Sequence, residues 1–339
     1  MKSKVEVNSL MKINFIAFDS FGVKSSCTQV KTPDVTITID PGIADEVDSF
    51  PLPRRERYGF VGKYDERIRK ACAQSDVVVI THYHYDHHIC DRDKRLYGNK
   101  VLLLKHPTQK INRSQKARAK EFLEKIKGLP KRIEYADGKR FEFGKTKIKF
   151  SKPLWHGPKG TSLGFVIMVS VQHGKEKLLC TSDLNGVYLR EQANLIIKEK
   201  PTYLVLDGFP SYLLGFVASF ANFKKALQNT VRIIERTHCK WCVIDHHLLR
   251  DYRYPQLYYE VYKRARQLHK KVCTAAEMRG EKPMVLRAYE KNGSTRWVQW
   301  KDFSFPQLNK LIAGAKPFFQ RKKSLGKIAG AKKKAIAKS

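Results

Sequence analysis

A 339-residue chain with 42% hydrophobic and 11% aromatic residues can bury a large core, which excludes a disordered or fibrous protein. Its 66 Lys and Arg against 32 Asp and Glu leave a formal net charge of +34, which says little about fold but favours an anionic partner, a charged substrate or nucleic acid. Seven scattered cysteines exclude a disulfide framework, no apolar run reaches the roughly 20 residues that cross a bilayer, and no signal-type leader is evident, so a cytoplasmic, reducing address without a membrane partner is expected.

In chain order, Lys12 to Phe18 and Val35 to Ile39 read as strands separated by turn-forming residues. Asp40-Pro41-Gly42 ends the second, because no strand continues through it. A Pro- and Arg-rich loop over Phe50 to Tyr58 precedes a predicted helix near Lys63 to Gln74, and Asp76 to Thr81 has the apolar run of a buried strand. Asn112 to Lys127 consists of good helix formers, with Ala117, Phe122, Leu123 and Ile126 predicted inward and Arg113, Lys116, Arg118 and Lys120 outward. Hairpin-like strands around Ile133 to Phe150 come next, then a loop with His156, then strands Leu163 to Val171 and Lys177 to Thr181, the last delivering Asp183.

Downstream the pattern alternates: strand Tyr203 to Leu206, helix Phe220 to Thr237, strand Trp241 to Ile244, helix Gln256 to Lys270 and a short strand near Val285. This is α/β wiring. Residues 1–300 are expected to form one catalytic domain, its part from about 251 a helical and strand extension, with 301–339 a mobile basic tail that holds no acidic residue after Phe303. Cys239-Lys240-Trp241-Cys242 lacks the second pair a zinc ribbon needs and reads as buried thiols.

Directly after the apolar strand, Thr81-His82-Tyr83-His84-Tyr85-Asp86-His87-His88 packs four imidazoles and a carboxylate into eight positions. Neutral imidazole and carboxylate suit a borderline cation such as zinc, and a rigid strand end holds them convergent. By spacing, His82 and His84 can grip one ion while Asp86 and His87 turn to a second. Further ligands must come from afar, and His156, Asp183 and His246 each follow a β-rich segment and precede a loop.

His82-x-His84-x-Asp86-His87, followed in order by a lone His, a lone Asp and a last His, resembles the metallo-β-lactamase superfamily. Asp40 in its Ile-Asp-Pro-Gly turn is similar to that superfamily's first motif. Asp19 to Ser26, Asn112 to Gln115, Asp245 to Asp251 and Thr274 to Glu277 resemble, more narrowly, an archaeal branch with no substrate to lend; the similarity spans roughly residues 11 to 290. The resemblance implies an αββα sandwich and two divalent metal ions, zinc first with manganese or iron as alternatives. It implies that His82, His84 and His156 hold one ion, Asp86, His87 and His246 the other, and that Asp183 bridges them. Asp40 would orient the histidine loop. His247 competes with His246 if the register slips by one, and His88 is expected outside the ligand set.

Such a site makes hydroxide from water and delivers it to a phosphorus or carbonyl centre. The expected activity is metal-dependent hydrolysis of an anionic phosphodiester or nucleic acid. Asp86, Asp183 and His247 are the expected catalytic residues, and the leaving-group acid stays open among His247, His88 and a metal-bound water. The alternatives are an ester, lactone or cyclic phosphodiester hydrolase of the same fold, or a non-catalytic nucleic-acid or ribonucleoprotein binder. Arg113, Lys116 and Lys120 on the predicted helix, and Arg321, Lys322 and Lys323 in the tail beside Phe318 and Phe319, are the candidate nucleic-acid contacts.

Overall fold

The computed structural model describes residues 10–295. The predictions for the basic tail, including Arg321, Lys322 and Lys323, lie outside the described residues.

Strands β1 (Lys12–Phe18), β2 (Ser26–Lys31), β3 (Thr36–Ile39), β4 (Val77–Ile80), β5 (Val101–Leu104) and β6 (Arg132–Tyr135) form one sheet in that order. β1 to β3 pair antiparallel and β3 to β6 parallel. Helices α1 (Arg54–Ala73), α2 (Lys94–Tyr97) and α3 (Arg113–Lys125) serve the parallel crossovers. The second sheet is assembled from β7 (Arg140–Phe143), β8 (Thr146–Phe150), β11 (Val169–His173), β12 (Glu176–Cys180), β13 (Tyr203–Asp207), β14 (Trp241–Asp245) and β15 (Lys271–Cys273). It repeats the plan, antiparallel from β7 to β12 and parallel from β12 to β15. A short pair, β9 (Leu154–Trp155) and β10 (Phe165–Val166), stands apart. The remaining helices are α4 (Arg190–Glu199), α5 (Phe220–Arg236), α6 (Tyr254–Leu257), α7 (Tyr259–Gln267), α8 (Ala275–Met278) and α9 (Met284–Asn292).

Side chains alternate across a strand, and the core is divided accordingly. Leu178, Tyr203, Val205 and Val243 join the core shared with the first sheet, whereas Leu179, Leu204, Leu206 and Ile244 pack with α4, α5 and α7. Helices therefore cover the outer face and a sheet lies on the inner one. Val77, Val78, Val79 and Ile80 are fully buried, as a parallel strand covered on both faces must be, and each contributes roughly 1.5–3 kcal/mol by leaving water. Parallel pairing brings the carboxyl ends of β3 and β4, and of β12, β13 and β14, to one edge of each sheet, where ligands of open α/β sheets bind.

Several elements differ from expectation. β2 escapes the hydrophobic pattern because Thr28 and Gln29 are buried beside Cys27 and Val30. α1 begins at Arg54, inside the expected loop, with Pro53 at its N-cap, where a missing N–H costs nothing. The inward stripe of α3 is Gln115, Ala119, Phe122 and Ile126; Ala117 is exposed, because positions four and three apart share a helix face. The helix expected over Gln256 to Lys270 divides into α6 and α7, and the expected strand near Val285 is α9, with Val285 and Ala288 buried at helical spacing. α4, β5 and β15 are additional elements. Cys239 and Cys242 are buried free thiols. No helix among the described residues is long and apolar enough to cross a membrane.

Candidate metal centre

Asp40 follows β3 with a left-handed φ of 50°, a strain tolerated where surrounding bonds fix the residue. Its Oδ1 accepts from Thr81 N at 2.8 Å, and its Oδ2 accepts from Thr81 Oγ1 at 2.7 Å and lies 2.9 Å from His87 Nδ1. One carboxylate thus ties the end of β3 to the end of β4 and sets the plane of the His87 ring. Gly42 lets the loop close: a Cβ there would lie 2.2 Å from the backbone nitrogens of His87 and His88.

His82, His87, His156, Asp183 and His246 are buried, while His84 and Asp86 are half-buried at the rim. His82 Nε2 lies 3.1 Å from His84 Nδ1 and 3.5 Å from Asp183 Oδ2, and His156 Nε2 is also 3.5 Å from Asp183 Oδ2. The other oxygen of the same carboxylate, Asp183 Oδ1, is 3.0 Å from His87 Nε2 and 3.3 Å from His246 Nε2. His246 Nε2 is in turn 3.7 Å from Asp86 Oδ2. Three overlapping groups have ligand atoms within 4.8 Å of one another: His82, His84, His156 and Asp183; Asp86, His87 and His246; and Asp183, His246 and His247. All seven sequence-predicted ligand residues are brought together.

His87 Nε2 and Asp183 Oδ1 are buried without a hydrogen-bond partner despite their proximity. Orphaned polar atoms at a common point are costly unless something else binds there, and the donor set suits a divalent cation. The site therefore passes the test of fit for metal. Burial alone would raise the Asp183 carboxyl, but His87, His246 and His82 outweigh it and hold it well below the usual range. Burial likewise pulls His87 down, yet Asp183 and Asp40 prevail and push it to about 10. His84 falls to about 3, first through burial and then through repulsion from His82.

Behind this shell, Asp19 Oδ2 lies 2.6 Å from His246 Nδ1, and Asp19 Oδ1 accepts from Arg250 Nε at 2.6 Å. Burial pushes Asp19 up, but Arg250 and His246 together bring it to about 2. A carboxylate on the far nitrogen of an imidazole leaves the near nitrogen as the ligand atom. His246 carries that arrangement and groups with Asp86 and His87. His247 instead rests its Nδ1 2.9 Å from Asp207 Oδ1, whose partner oxygen accepts from Asn185 N at 2.6 Å. Burial drives the Asp207 carboxyl up and the His247 imidazole down. His88 is fully enclosed, with Nδ1 2.9 Å from the His84 carbonyl and its ring against Phe122.

Above the cluster opens a basin of about 920 Å3 that reaches His84, Asp86, Asp183 and His247. Lys24, Arg118 and Arg250 bring positive charge to its wall, and the Arg118 guanidinium sits 4.5 Å from the centre of the Tyr85 ring. Arg113, Lys116 and Lys120 are exposed on α3; the residue of that helix that reaches the basin is Arg118. The sequence reading gives no role at the site to Asp19 or Arg250 and sets Arg118 on the outward face of its helix. The available signal was position alone, since Asp19 and Asp207 both stand at strand ends.

Two six- and seven-stranded mixed sheets packed face to face, with helices outside and this His/Asp cluster at the carboxyl ends of the strands, define the metallo-β-lactamase fold. A crystal structure of the metallo-β-lactamase fold protein YhfI from Bacillus subtilis is 14% identical, with a TM-score of 0.46 over 78% of this chain and 97% of that one. The chain belongs to the UPF0282 family. It is 39% identical over 291 residues to the UPF0282 protein of Methanopyrus kandleri, covering 82% of this chain and 97% of that one. It is 40% identical over 292 residues to that of Methanocaldococcus jannaschii, covering 83% and 96%. No family model matches the chain.

Proposed function

We propose that the protein is a metal-dependent hydrolase that works with a pair of divalent cations, zinc first, on an anionic phosphodiester, RNA or DNA included. The observation that carries this reading is the division of the Asp183 carboxylate, with Oδ2 3.5 Å from His82 and His156 and Oδ1 3.0 Å and 3.3 Å from His87 and His246. A carboxylate set between two histidine groups is suited to bridge two ions.

His82, His84 and His156 would hold one ion and Asp86, His87 and His246 the other, with Asp183 shared. A dinuclear centre supplies Lewis acidity and lowers the pKa of water at the site. Asp86, kept ionised by His87, His246 and Arg250 against the effect of burial, is placed to orient an attacking water through its rim position. Lys24, Arg118 and Arg250 favour a substrate with negative charge, and guanidinium groups pair with phosphate oxygens in a planar fork. His247, steadied by Asp207, has its second ring nitrogen available to carry a proton between substrate and solvent.

A second reading, a small-molecule ester, lactone or cyclic phosphodiester hydrolase, is favoured by one feature. Between Asp183 and His246 the chain holds α4, β13, a single 3-10 turn at Ser211–Leu213, α5, β14 and their connections, which leaves no additional domain to clamp a polymer. The deciding experiment is metal analysis joined to a screen of RNA, DNA, model phosphodiesters and lactones with and without EDTA. Chelator-sensitive cleavage of a phosphodiester supports the first reading, and lactone turnover alone supports the second. Absence of turnover across the panel by fully metal-loaded protein removes both.

A further inference from the structure

The loop that follows Asp183 leads into α4, and α4 and α5 flank an open surface recess of about 910 Å3, solvent side included, that belongs to no part of the metal centre. Its wall includes Tyr188, Arg190, Lys225, Gln228, Asn229 and Arg232 and contains no carboxylate. Lys225, Asn229 and Arg232 are four and three positions apart, so α5 presents them as one stripe, and Arg190 opens α4 opposite.

Three like charges gathered around one space repel one another, and nothing among the described residues offsets them: Arg190, Lys225 and Arg232 have neither ion pair nor hydrogen bond there. The charged neighbours that act on Arg232 are again cations, Arg190 and Arg236. Arg232 is half-buried, and its Nε, turned from solvent, has no acceptor. Leu189, the N-cap of the ten-residue α4, offers no side-chain acceptor to the helix end beside Arg190. The wall is held in shape, because Asn229 Nδ2 donates to Val187 O at 2.8 Å and to Tyr188 O at 3.2 Å. A rigid, concave, carboxylate-free cluster of guanidinium and ammonium groups has the chemistry of a phosphate receptor.

We propose that the recess between α4 and α5 is a second binding site, distinct from the metal centre, that takes a phosphate-bearing anion through Arg190, Lys225 and Arg232. The phosphate comes from a free polyphosphate-type ligand or from a nucleic-acid backbone, and the probes separate these sources.

The test uses full-length, metal-loaded protein, wild type and the variants R232Q and R190Q/K225Q/R232Q. Inorganic pyrophosphate and a short single-stranded RNA are titrated separately by calorimetry, and melting is recorded in anion-free buffer. The metal centre is common to all three proteins, so a difference belongs to the recess. The triple variant should lose about tenfold or more in affinity for at least one probe, with R232Q in the same direction but smaller. Loss for both probes means that the phosphate group itself is read; loss for RNA alone means that the backbone is. With repulsion relieved, the variants should melt no lower than wild type without anion, whereas a merely structural role would lower melting. Equal affinities in all three proteins, no binding of either probe by wild type, or lower melting of both variants without an affinity change would overturn the proposal.

Discussion

Asp19 Oδ2 lies 2.6 Å from His246 Nδ1 although 227 positions separate them in the chain. The contact joins the end of β1, in the first sheet, to the end of β14, in the second, and Arg250 closes it by donating to Asp19 Oδ1 at 2.6 Å. The two sheets are thereby registered at the point where the cluster needs His246 to face Asp183.

Replacing Asp19 with Asn leaves the buried Arg250 with Asp86 Oδ2, at 3.5 Å, as its remaining carboxylate partner and frees the His246 ring. A destabilisation of about 3–5 kcal/mol is expected for a buried pair broken on one side, together with a 10–100-fold weaker hold on the metal that His246 would ligate. Denaturant melts and competitive chelator titration read the two effects. Because the Asp19 carboxyl is depressed to about 2, its contribution in metal-free protein is present above the ordinary carboxylate range and is lost as pH falls toward that value. A D19N variant should lack that acid-side loss.

Gly42→Ala sets a methyl group against the backbone of His87 and His88. The backbone cannot yield as a side chain would, so the histidine loop must shift. Metal content should fall and thermal stability should drop, whereas Gly59→Ala, at a glycine with open space around it, should leave both near wild type. Equal metal content in the two variants would count against the tight closure described for this loop.

Metal uptake should release protons. In metal-free protein Asp183 and Asp40 hold His87 protonated up to about 10, and a ligand nitrogen must give up that proton. Apparent affinity therefore rises with pH through the neutral range. Calorimetry in buffers of different ionisation enthalpy should give heats that vary with the buffer; buffer-independent heats would show that His87 does not exchange a proton for metal.

His247→Ala should reduce kcat by about a hundredfold or more while metal content stays at the wild-type level, since proton transfer by a positioned side chain contributes on that scale. Asp207→Asn should act in the same direction through ring orientation, and it should shift the pH profile. Loss of metal in H247A would make His247 a ligand instead.

Much of this centre is legible in the sequence. An apolar run of four β-branched residues ends at Thr81, and a strand end can hold His82, His84, Asp86 and His87 in convergence, so local pattern suffices there. His156, Asp183 and His246 are readable by the same reasoning, each placed after a β-rich segment. The supporting carboxylates are not. Nothing in the spacing around Asp19 says that it meets His246, and an Asp at a strand end has the same local signature whether it caps a turn or orients an imidazole. β2 is hidden for a related reason, since Thr28 and Gln29 are buried by virtue of partners, Gln29 donating to the Ala71 carbonyl at 2.8 Å. Arg118 reads as an outward residue of its helix, yet it lines the basin with its guanidinium 4.5 Å from the centre of the Tyr85 ring.

The most direct test of the dinuclear reading is metal content per chain, by elemental analysis, for wild type and Asp183→Asn, with X-ray absorption on the wild type. Two ions per chain with a metal–metal vector of about 3.5–4 Å, reduced to one or none by the substitution, are the predicted result. A single ion in the wild type, or two ions held equally well by D183N, would contradict it.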